Sequence, residues 1–97
     1  MMQYPEETLK GILVGCGFMG GVHAQVYKVL PDVEIVAAVD TRAASSEEKL
    51  KSLNCPAPVH TTLEEALAEH SCHFVDICLP THLHEEFAVQ AIQAMQT

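Results

Sequence analysis

"GILVGCGFMGG", residues 11–21, sets an apolar run directly against four glycines, three of which, Gly15, Gly17 and Gly20, keep the spacing GxGxxG. Alone, that spacing is weak. Its meaning depends on whether a strand precedes it, a helix follows it and an acidic residue closes the next strand.

All three conditions are met. Residues 9–15 form a short apolar run with β-branched members, bounded by glycine, which predicts a buried strand. Over 18–30, Met19, Val22, Val26, Val29 and Leu30 recur at helical spacing and predict a helix with that stripe on the core. Residues 33–39, VEIVAAV, predict a second strand, and Asp40 closes it. The segment 45–53 opens with serines and acidic residues and carries Lys49 and Lys51 later, as a helix dipole favours, with Asn54 as its C-terminal cap. A short extended piece, 59–61, comes next. Thr62 with Glu65 three residues on makes a capping box for a helix that turns Leu63, Ala66 and Leu67 inward. Residues 74–79 predict a fourth strand, in which Asp76 should find a neighbouring donor. The last helix, 85–95, carries Phe87, Ala88, Ala91, Ile92 and Met95 as its buried stripe.

Strict β-α alternation with short connections predicts an α/β fold: a Rossmann-like, doubly wound parallel sheet of strand order 3-2-1-4, incomplete. The glycine loop then lies between the first strand and the first helix, where such a fold holds a pyrophosphate. Gly15 permits the tight turn, Gly17 lets the main chain approach phosphates, and Gly20 lets the helix pack close to the sheet. Backbone N–H groups around Phe18 and Met19, at the start of the helix, supply donors and the positive end of the dipole. Asp40, 25 positions after Gly15, can accept from both ribose hydroxyls. A 2′-phosphate would face its like charge, on the order of 4 kcal/mol at an effective dielectric of 20. NAD is therefore the expected cofactor, with NADP possible because Arg42 can offset a 2′-phosphate.

Composition narrows the rest. The chain has 97 residues, enough for one domain with a core, and thirteen acidic against five basic residues give a net charge of -8. With no basic cluster, nucleic acid and anionic membrane surfaces are poor partners. No apolar run nears the ~20 residues of a membrane span, and residues 1–10 lack the pattern of a signal peptide, so a cytoplasmic protein is expected. Cys16, Cys55, Cys72 and Cys78 lack paired CxxC spacing and read as reduced apolar fillers. Ligand types gather at His70, Cys72 and His73 and again at Cys78, His82 and His84, but neither set has the two spaced pairs of a closed zinc site, so no metal is expected.

The combination GxGxxGxxH at 15–23, AAVD at 37–40 and LPTHLH at 79–84 resembles the glucose-fructose oxidoreductase and inositol dehydrogenase (Gfo/Idh/MocA) family over residues 10–96. The resemblance implies that the loop after the fourth strand wraps the cofactor, through Leu79, Pro80, Thr81 and His84. Leu79 stands where the family more often has threonine, which removes a hydroxyl contact and leaves the main chain. Thr81 has a competing task as N-cap of the last helix. His23 reads as packing or hydrogen bonding. Family members continue into a strand ending in Glu-Lys-Pro, whose lysine acts on substrate, and then a second α/β domain. Residues 1–97 are thus expected to be part of the dinucleotide-binding domain of an oxidoreductase acting on a sugar, cyclitol or related hydroxyl or carbonyl substrate, without catalytic residues or substrate domain. The unpaired edge of the fourth strand suggests a homo-oligomer. The alternative is a non-catalytic nucleotide-sensing module.

Overall fold

The computed structural model of the protein describes residues 8–95. The reading of residues 1–7 as lacking a signal lies outside the described residues, as does the side chain of Met95. The elements run β1 (Leu9–Val14), α1 (Phe18–Tyr27), β2 (Val33–Val39), α2 (Ala43–Ser52), β3 (Val59–His60), α3 (Leu63–Glu69), β4 (Phe74–Ile77) and α4 (Thr81–Met95). All pairings are parallel and the sheet order is β3-β2-β1-β4, the order predicted. Among the described residues no helix is long and apolar enough to cross a membrane.

The central strands are covered on both faces, which is why β1 and β2 read as nearly unbroken apolar runs. On one face Leu13, Ile35, Ala38 and Leu50 form a core under α1 and α2. On the other, Ile12, Val14, Ala37, Val39, Leu63 and Ala66 pack under α3 and α4. Leu63 and Ala66 turn inward as expected, and the Thr62 hydroxyl accepts from the Glu65 N–H at 3.2 Å. Asn54 adopts φ +59° just past α2, the left-handed turn that its C-cap role requires.

Besides the start of α2 at Ala43 rather than 45, which leaves no acidic residue in its first turn, two expectations fail. The helix α1 buries Gly20, Gly21 and Ala24, whereas Met19, Val22, Val26, Val29 and Leu30 are exposed, Val29 to 69%. A Cβ on Gly20 would meet the Gly15 carbonyl oxygen at 2.0 Å, so the helix sits too close to the loop for any bulky side chain on that face. Small size decided the buried side and turned the apolar stripe outward. The second correction concerns α4, which begins at Thr81 rather than 85. Thr81 therefore lies in the first helical turn, with Pro80 before it, and is not the N-cap. On α4, Ala91 is buried, Phe87 and Ala88 are half-buried, and Ile92 is 57% exposed.

Candidate functional site

Three chain segments meet where β1, β2 and β4 end. Gly15 turns out of β1 with φ +93°, in the left-handed region that favours glycine, and an added Cβ there would lie 2.6 Å from the Cys78 carbonyl oxygen. At Gly17 an added Cβ would meet nothing within 4 Å, so this main chain faces open space. The Gly21 N–H donates to the Gly17 carbonyl, which leaves the amides of Phe18, Met19 and Gly20 ahead of the first bond of α1.

Asp40 is tied to that loop. Its Oδ2 accepts the Cys16 N–H and its Oδ1 the Arg42 N–H, both at 2.9 Å. A carboxylate has about four acceptor positions. Two remain for a ligand. Burial, then the charge of Asp40, pushes the Cys16 thiol up to about 11, so it stays protonated at neutral pH. All four cysteines are free thiols.

Between these segments lies a cleft of about 350 Å³. Of the expected residues, Gly15, Gly17, Asp40, Arg42, Leu79 and Pro80 line it, and Phe18, Met19, Gly20, Thr81 and His84 do not. Gly20 is spent on packing against Gly15, and Phe18 is 82% exposed. His84 folds back, its Nε2–H donating to the Leu79 carbonyl at 2.6 Å, and so braces the loop after β4. The cleft also takes in Val39 and Leu83, from the AAVD and LPTHLH motifs, and Thr41, Thr61, Cys78 and Phe87, which are brought there by the sheet order. Its place beyond the carboxyl ends of the strands, where the order reverses between β1 and β4, is where open α/β sheets bind ligands.

Lys49 went unrecognised in the sequence. From α2 its Nζ donates to the Cys16 and Gly17 carbonyls, at 2.9 Å each. In sequence it is one more helix-dipole lysine.

Beneath the loop, Asp76 of β4 accepts from the Tyr27 hydroxyl and from His23 Nδ1–H, both at 2.6 Å. The Cys78 thiol stands 3.6 Å from its other oxygen. Burial pushes the Asp76 carboxyl up, but the bonds from Tyr27 and His23 outweigh it and hold the group below its usual range. Burial and the Asp76 charge push Cys78 up to about 12. These residues form a satisfied network that pins α1 to β4.

The parts fit a dinucleotide. There is bare main chain at Gly17 for a diphosphate, a helix start behind it, and a carboxylate with free acceptor positions beside it. The family model for oxidoreductases with an NAD-binding Rossmann fold (Gfo/Idh/MocA) matches residues 9–96. An uncharacterized oxidoreductase of Schizosaccharomyces pombe is 34% identical over 88 residues, 89% of this chain and 24% of that protein. Among solved structures, GenD2 from gentamicin A biosynthesis, in complex with NAD, is 38% identical with a TM-score of 0.81, over 95% of this chain and 26% of its own. A myo-inositol dehydrogenase from Corynebacterium glutamicum is 26% identical with a TM-score of 0.79, over 89% of this chain and 25% of its own. The chain spans about a quarter of the length of these relatives.

Proposed function

The chain belongs to the Gfo/Idh/MocA oxidoreductase family with an NAD-binding Rossmann fold, and we propose that its cleft holds the cofactor of an enzyme acting on a sugar, cyclitol or related hydroxyl or carbonyl compound. The observation that carries this reading is the bond from the Cys16 N–H to Asp40 Oδ2, which ties the carboxylate at the end of β2 to the glycine loop. The amides at the start of α1 and the open main chain of Gly17 hold the diphosphate. Asp40 accepts from the adenosine ribose and disfavours a 2′-phosphate, so NAD is preferred over NADP. Leu79 and Pro80 close the side of the cleft near β4, braced by His84. When bound, the cofactor supplies hydride exchange at its nicotinamide ring. The likeness to the myo-inositol dehydrogenase supports the substrate class. In this reading residues 1–97 are the cofactor-binding part of a cytoplasmic enzyme and are inactive by themselves.

Calorimetric titration with NAD, NADP and ATP tests the proposal. NAD is expected to bind, and NADP more weakly. Failure of all three to bind overturns it. Among the described residues β4 ends the sheet with no strand on its outer side, which supports self-association through that strand. Gel filtration at micromolar concentration should then show a species larger than the 10.6 kDa chain. A clean monomer overturns that part.

A further inference from the structure

A second group of chemically able side chains stands on the far flank of the sheet, apart from those that line the cleft. His60 ends the edge strand β3, and Glu69 and His70 end α3, which packs against that strand. His60 Nε2 lies 3.0 Å from His70 Nε2 and 3.7 Å from Glu69 Oε2. All three ligand atoms fall within 4.8 Å of one another. We propose that His60, Glu69 and His70 form a binding site for a divalent transition-metal ion of the zinc, cobalt or nickel kind, with Glu65 positioning His60.

Three observations carry it. First, ligands about 2.0–2.1 Å from a tetrahedral centre sit roughly 3.3 Å apart, and the observed 3.0 and 3.7 Å bracket that spacing. The two imidazoles meet edge to face, at 62° between planes, so that both Nε2 atoms converge rather than the rings stacking. Second, His60 Nδ1 lies 3.3 Å from Glu65 Oε1. A carboxylate there accepts a hydrogen bond from Nδ1–H, keeping the proton of the neutral ring on Nδ1 and the Nε2 lone pair free, the outer-shell arrangement that fixes the tautomer of metal-bound histidines. Third, the His60 side chain is only 10% exposed while Glu69 is 60% exposed, so the ion would have an anchored ligand inside and a mobile one at the entrance. Glu69 and His70 also border an open cleft of about 460 Å³, which gives the ion a path from solvent. A net charge of -8 favours cation capture. Three protein ligands leave a fourth position for water. The ion would staple the end of α3 to the end of β3, where the His60 carbonyl accepts the Asp40 N–H and Thr61 enters the cofactor cleft.

Titration of the chain with cobalt(II) chloride, followed by visible absorption, tests the site. Saturable binding is expected, with the intensified d–d bands of a low-coordinate nitrogen and oxygen site, together with a rise in melting temperature in zinc that a chelator reverses. His70→Gln and Glu69→Gln should each weaken cobalt binding at least tenfold, and Glu65→Gln roughly tenfold by loosening His60. Should His70→Gln fail to fold, Glu69→Gln still gives the readout, since that side chain is mostly in solvent. The proposal falls if no saturable binding occurs or if Glu69→Gln and His70→Gln bind as tightly as the parent. A thiolate-to-cobalt charge-transfer band also overturns it, by giving the ion a cysteine ligand that the His60, Glu69 and His70 set does not contain, such as Cys78 beside His23 and Asp76.

Discussion

Asp40 Oδ2 accepts the Cys16 N–H at 2.9 Å, so the carboxylate that ends β2 also fixes the loop that leaves β1. In the proposed reading, loop shape and ribose recognition therefore depend on one side chain. Asp40→Ala should lower NAD affinity by about 10- to 100-fold, the value of one charge-assisted hydrogen bond. It should also narrow the gap between NAD and NADP, because the like charge that repels a 2′-phosphate is gone. Calorimetry with both cofactors reads the two effects, and an unchanged NAD affinity would refute the assignment.

Gly17 and Gly20 separate binding from folding. An added methyl at Gly20 meets backbone at 2.0 Å, so Gly20→Ala should cost at least about 2 kcal/mol of stability. At Gly17 it meets nothing, so Gly17→Ala should stay within about 0.5 kcal/mol of the parent. Yet that methyl stands where a diphosphate would lie, and NAD binding should weaken at least tenfold. Urea melts and calorimetry on the two variants check this, and tight NAD binding by Gly17→Ala would move the diphosphate elsewhere.

Lys49 donates to the Cys16 and Gly17 carbonyls of the loop, the second of which also accepts the Gly21 N–H. Lys49→Met keeps the stem that packs on Gly21 and removes both bonds. We expect a stability loss of about 1 kcal/mol, discounted for partial exposure, and a several-fold loss in NAD affinity. Thermal melts and titration measure both, and a variant equal to the parent would make the lysine incidental.

Asp76 sets an acid limit on stability. Its folded pKa lies below the unfolded value of 3.8, so its contribution is complete above that value and disappears as pH falls through it toward the lower folded one. Asp76→Asn should lose about 1–3 kcal/mol at pH 7 and show a shallower decline below pH ~5. Urea melts from pH 7 to pH 3 give the comparison, and parallel curves for the two proteins would rule out the linkage.

Much of this was legible in the chain because a parallel sheet covered on both faces writes itself as apolar runs, and glycine spacing records a turn that only glycine can make. Those signals predicted every strand, the order β3-β2-β1-β4, and the placing of Gly15, Gly17 and Asp40 around one cleft. They misplaced the buried face of α1, because hydrophobic periodicity weighs Val26 and Val29 above Gly20 and Ala24, whereas the distance between α1 and Gly15 admits only small side chains. They misplaced the start of α4 because a proline fits equally the end of a strand and the position just before a helix, as Pro80 does.

The sequence by itself determined the architecture and the turn of the glycine loop, since both follow from local conformational preference and from which strands must be buried. Only the tertiary structure decided that Lys49 reaches the glycine loop, that His84 braces Leu79, and that His60 meets Glu69 and His70. Each of these joins side chains whose neighbourhood is set by how helices lie on the sheet, and no periodicity along the chain encodes that distance.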